Sequence, residues 1–184
     1  MLYNKEVKMT TTFENMVSSD LHRYLLTKSE IDELLPECPD VEALWETVAM
    51  AYLPDGVREF NAYPLTSLGW MMLVGMAVAA CWDKDWEHHS TINNLYVAMR
   101  DKRGYDQLDE YICDEVLQLD ATQSELLLAL VGDCATRLNS TLRHSGAEAG
   151  TAEAFRAYVA CLHQLYLKGM AVQLHRMGYR MTRL

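Results

Sequence analysis

Apolar residues in this chain recur at intervals of three and four rather than in strict alternation, a spacing that predicts amphipathic helices. Leu127, Leu130, Val131, Cys134 and Leu138 fall on one helical face, and Phe155, Tyr158, Val159, Leu162, Leu165 and Tyr166 stripe a later segment. Ile92, Leu95, Tyr96 and Met99 make a shorter stripe. Polar residues supply start signals. Thr11 to Glu14, Thr27 to Glu30 and Thr122 to Glu125 have the T-x-x-E spacing, in which hydroxyl and carboxylate satisfy each other's backbone donors at a helix N-terminus. Asp40, Ser90 and Thr151 are further N-cap candidates. Helices are therefore expected at roughly 12–26, 29–35, 40–61 with a break near Pro54, 65–86, 91–102, 105–118, 121–144 and 152–177.

The remaining pattern agrees. All four prolines lie between 36 and 64, so the following 120 residues carry no helix breaker, and isoleucine occurs only three times against abundant Leu, Met and Ala. The expected fold is all-α: one helical domain over 1–184, a bundle of about seven or eight helices, with residues 1–10 flexible. The segment "RHSGAEAG" (143–150) is the clearest loop. No linker, low-complexity tract or repeat of useful length divides the chain.

From Phe60 to Trp82 no residue is charged, and "LTSLGWMMLVGMAVAACW" approaches the length of a bilayer span. Polar residues at one end (Asn61, Tyr63, Thr66, Ser67) shorten the truly apolar part, and acids rather than a Lys/Arg cluster follow it. A buried central helix near 65–86 is the expectation, with Gly69, Gly75 and Ala79 allowing neighbours to approach closely and no membrane contact.

Composition narrows function mainly by exclusion. A net charge of −10 argues against nucleic acid or an anionic membrane as partner. That total is unevenly spread: residues from 137 onward carry seven Lys/Arg against two acids, whereas nine bases and twenty-four acids precede them. Such halves can attract one another or pair between subunits. The basic tail 175–184, with Gly178 placed to end the last helix, is expected to dock on the acidic front half of the same molecule or a twin, or to fray. Five scattered cysteines without a C-x-x-C pair, and an N-terminus without the apolar stretch of a secretory signal, favour reduced thiols and a cytoplasmic location.

Candidate chemistry gathers in "CWDKDWEHHS", 81–90. If the helix continues through it, Trp82 and Trp86 face inward while the polar residues face outward or along the rim. Asp85, His88 and His89 then offer oxygen and imidazole ligands of the kind zinc or iron takes, with Asp83, Glu87, Asp106 and Glu110 as possible additional carboxylates. Acids at a helix C-terminus face the negative end of its dipole and call for a cation, a metal or one of Arg58, Arg100, Lys102 and Arg103. Asp106, Glu110 and Asp114 recur at i, i+4 and i+8, and Gly104 closes the preceding basic turn as a C-cap. His163 sits beside the apolar stripe of the last helix as a core-edge histidine. No nucleophile signature assigns a catalytic residue. The expected role is a non-enzymatic interaction module with a protein partner, or self-associating through the late helices, without a cofactor. The alternative is a divalent-metal-binding protein or metal-dependent hydrolase using the 83–89 cluster.

Overall fold

The computed structural model describes residues 2–180, with side chains from Thr11 onward, so the flexible segment expected at 1–10 lies outside the described side chains. Eight α-helices and no strand occur among the described residues: α1 (Leu2–Thr27), α2 (Pro39–Glu42), α3 (Trp45–Phe60), α4 (Pro64–His89), α5 (Leu95–Arg103), α6 (Leu108–Tyr111), α7 (Ala121–Arg143) and α8 (Ala152–Arg176). A 3-10 turn at Tyr105–Gln107 precedes α6 and a π-helical turn at Ile112–Val116 follows it. The all-α bundle is thus present.

Its axis is α4, in which Leu68, Met71 to Val74 and Met76 to Ala79 are completely or almost completely shielded. The helix is long and apolar enough to cross a membrane, yet its apolar stretch is mostly buried within the protein. Helices α3, α7 and α8 pack around it, and α1 covers α8.

Helices α4 and α8 run parallel. Ser67 meets Tyr158 at one end, Gly75 and Gly169 mark the middle, and Trp82 meets Tyr179 just beyond the other end. At the middle the two backbones touch: a Cβ on Gly75 would sit 2.2 Å from the carbonyl oxygen of Tyr166, and one on Gly169 would sit 2.1 Å from that of Met72. The contact is reciprocal because the helices share a pattern, Leu-x-Gly-Met-Ala-Val, at 73–78 and 167–172. A local two-fold axis therefore relates the two glycines and the carbonyls they face.

Several starts differ from expectation, each for a visible reason. Thr11 and Glu14 lie inside α1, whose Glu14 carboxylate accepts from His163 Nδ1–H and Gln164 Nε2–H on α8 instead of capping its own helix. Thr27 ends α1, its hydroxyl donating to the Tyr24 carbonyl, and no helix forms at 29–35. Helix α7 starts on Asp120, which forms the capping box with Gln123, so Thr122 is passed over. Asp40 stands within the first turn of α2 behind Pro39, and Ser90 closes α4 while Asn94 caps α5. Thr151 caps α8 as expected. The break expected at Pro54 falls at 43–44 instead. Pro54 is exposed, as is Met50, whose carbonyl loses its partner on the solvent side, and the helix runs on. Phe155, placed in the inward stripe, is largely exposed at the first turn of α8.

Part of the uneven charge is paired inside the molecule. Arg137 grips Asp20 with two hydrogen bonds, Arg176 grips Glu30 likewise, and Arg180 reaches Asp32. The basic late helices thereby hold α1 and its following loop, and the tail docks on its own chain, where the Tyr179 hydroxyl also donates to Asp83.

Candidate functional site

The central helix is regular only as far as Lys84. Asp85 adopts an extended conformation, φ −163 and ψ 80, and a last turn restarts behind it. Asp85 is the cap of that turn: its Oδ1 accepts from the His88 backbone N–H at 3.1 Å, and its own carbonyl accepts from His89 Nδ1–H at 2.7 Å. For Asp85 the difficulty of an acid at a helix C-terminus disappears, since it now faces the N-terminus of the restarted turn. Replacing Asp85 with Ala is expected to cost about 1 kcal/mol, the usual value of an N-cap. Urea unfolding checks this, and the fluorescence of the adjacent Trp86 should shift with the loosened turn.

Asp85, His88 and His89 are neighbours, with the two rings edge to face at 5.2 Å, while one Asp85 oxygen and the His89 Nδ1 serve the turn itself. Asp83 binds Tyr179, and Glu87 is exposed. Asp106 lies in the 3-10 turn and Glu110 in α6. The change of helix type from 3-10 through α to π breaks the expected i, i+4, i+8 face of acids. Asp114 and Glu115 are held together by Arg103, at 3.0 and 3.2 Å, and Arg100 pairs with Asp55 and Asp101. Among the described residues no group of three or more His, Cys, Asp and Glu is placed to hold a metal ion. Trp82 and Trp86 pack half-buried against the core, and Trp82 Nε1–H donates to Asp40.

What the broken helix does build is a cavity of about 280 Å³ on its flank. Ala80, Ile92, Leu95, Ala98, Met99 and Val116 give it apolar walls, while Cys81, Lys84, His89, Lys102, Tyr111 and Glu115 supply polar groups. Burial pushes the Cys81 thiol up, and the Lys84 ammonium offsets part of that rise. Only His89 of the sequence candidates for metal lines this cavity. Cys81 and Lys84 stand within the same ten-residue stretch, but Lys102 and Tyr111 arrive from other elements, and nothing in their local spacing announced it.

A second depression, of about 300 Å³, lies where α7 turns into α8. Phe60, Pro64, Leu142, Ala154, Ala157 and Tyr158 line it beside Asn61, Asn139 and Arg143. Tyr63, Leu65 and Phe155, flanking lining positions in sequence, are 64%, 42% and 46% exposed. The loop forming one lip turns through Gly146 and Gly150, both at positive φ, as such a corner requires. Beneath it Tyr158 closes a buried polar chain: its hydroxyl shares a hydrogen bond with Ser67 Oγ, and that Oγ donates to the Gly56 carbonyl. The Tyr52 hydroxyl donates to the Ser67 carbonyl and lies 3.3 Å from that of Tyr105. Every buried side-chain nitrogen and oxygen among the described residues has a partner, so this chain is structural support for the groove floor. No family of known proteins matches the sequence, and neither a curated protein nor a solved structure shows significant similarity to it.

Proposed function

We propose that this chain is a non-catalytic interaction module that self-associates through the corner between α7 and α8. The observation that carries this reading is an apolar groove lined by Phe60, Leu142 and Tyr158, with the exposed Tyr63, Leu65 and Phe155 next in sequence to its lining residues Pro64 and Ala154. Exposed aromatic side chains beside a concave apolar surface are the usual anchors of a protein interface, and anchors seated in pockets dominate its energy. The groove is formed by the two late helices and the loop joining them together with the turn from α3 into α4. A two-fold pairing of this corner would place each Phe155 near the other copy's groove.

The long-range Arg–carboxylate pairs described above act within one chain, so association through this corner is driven by apolar burial. It is expected to persist from low to high salt, where a charge-driven contact would weaken. Size-exclusion chromatography with light scattering is the test. The wild-type chain is expected to run as a dimer at both salt concentrations, and the double variant Tyr63→Asp, Phe155→Asp as a folded monomer. A wild-type monomer at both salts overturns the proposal, as does a double variant that still dimerises.

A further inference from the structure

The cavity beside the broken end of α4 is separate from the proposed interface, and its wall chemistry is specific. We propose that it binds a small amphipathic anion, a linear monocarboxylate with an apolar tail. Six apolar side chains, Ala80, Ile92, Leu95, Ala98, Met99 and Val116, line the walls, whereas Lys84 and Lys102 bring ammonium groups from α4 and α5. An apolar chamber with two cationic groups matches a tail with one anionic head, since each part of the ligand meets its complement. At about 280 Å³ the cavity lies at the small end of ligand sites, which suits a medium-length chain and not a phospholipid.

Two further polar groups face the cavity. His89 spends Nδ1–H on the Asp85 carbonyl, which leaves Nε2 as the ring's remaining nitrogen, and Tyr111 contributes a phenol. The one carboxylate in the wall, Glu115, is engaged by Arg103, so the negative charge most able to repel the ligand is already paired. Backbone irregularity also converges here. The α4 break at Asp85 sets the position of His89, the π-helical turn Ile112–Val116 supplies Glu115 and Val116, and Gln118 follows at φ 52. π-turns of this kind recur at functional sites.

Cys81 provides a built-in reporter, being the only one of the five thiols that is not buried. Octanoate is the probe. It is expected to slow alkylation of Cys81 by a neutral maleimide, read by peptide mass spectrometry, in a saturable manner, and to give a matching calorimetric isotherm. Lys84→Gln and Lys102→Gln are each expected to weaken binding about tenfold, the worth of one charge-assisted contact. Both positions are exposed, and circular dichroism verifies that the variants fold. Octanol, which keeps the tail and lacks the charge, should bind far more weakly. Absence of saturable protection and of heat at millimolar octanoate overturns the proposal. So does equal binding of octanol, which would make the cavity merely greasy, and so does protection by a short acidic peptide where octanoate gives none. Because the corner variant Tyr63→Asp, Phe155→Asp leaves this cavity untouched, its octanoate binding should match the wild type whatever its oligomeric state.

Discussion

Gly75→Ala and Gly169→Ala are each expected to cost about 3 kcal/mol or more in unfolding free energy, a large fraction of the margin of an ordinary domain. Ordinarily a glycine in a helix interior is a liability, and alanine there would gain about 1 kcal/mol in helix propensity. Here the sign reverses. The added methyl would stand 2.2 Å from a carbonyl oxygen in one case and 2.1 Å in the other, and both obstacles are backbone. Neither can rotate aside as a side chain would. Relief comes only from separating α4 and α8, which opens the packing along both helices. Because the two glycines act on the same crossing, the double variant should cost clearly less than the sum of the singles. Urea denaturation of the three variants measures this, and additive effects would show that the helices do not separate as a unit.

The second large effect concerns Lys168, which occupies in α8 the place that Val74 holds in α4. It is 6% exposed, and Nζ–H donates to Ser18 Oγ at 3.1 Å, with no carboxylate paired to it among the described residues. Burial pulls its pKa below the usual lysine value. Across the same interface His22 is also lowered, first by burial and then by the Lys168 charge. Both groups bind fewer protons folded than unfolded, so stability rises with pH: for His22 in the window below 6.5, and for Lys168 as pH climbs toward 10.5. Lys168→Met is expected to stabilise the protein by about 1–2 kcal/mol at neutral pH, since a chain of similar shape replaces a charge that is costly to bury. The gain should shrink as pH rises toward and past 10.5, above which the wild-type amine is neutral in both states. Thermal or urea unfolding across that range checks it, and a destabilised methionine variant would show that the Ser18 contact outweighs the burial cost.

Much of the fold was legible because the relevant signals are local. The charge-free run and the proline-free remainder named the central helix and the helical class, and the stripe from Leu127 to Leu138 is buried throughout as read. Helix starts were less legible because Thr-x-x-Glu describes a possibility that tertiary partners can pre-empt. Glu14 goes to α8, and Asp120 outcompetes Thr122 two residues downstream. The site was least legible. Assigning faces by helical angle through residues 81–89 assumed an unbroken helix, and Asp85, by capping a new turn with its own side chain, resets the angle for everything after it. The cavity then draws Lys102 from α5, Tyr111 from α6 and Glu115 from a π-turn, for which the sequence carries no reliable sign.

The parallel pairing of α4 with α8 also fixes the order in which the protein can fold. Parallel neighbours need a long crossover, and Gly75 waits for Gly169, 94 positions later, before its face is covered. During synthesis the most apolar helix of the chain leaves the ribosome well before its main partner exists. Until α8 arrives that surface is available to chaperones, to other nascent chains and to lipid. Folding should therefore be late and cooperative, and a fragment ending before Ala152 should aggregate rather than form a smaller bundle.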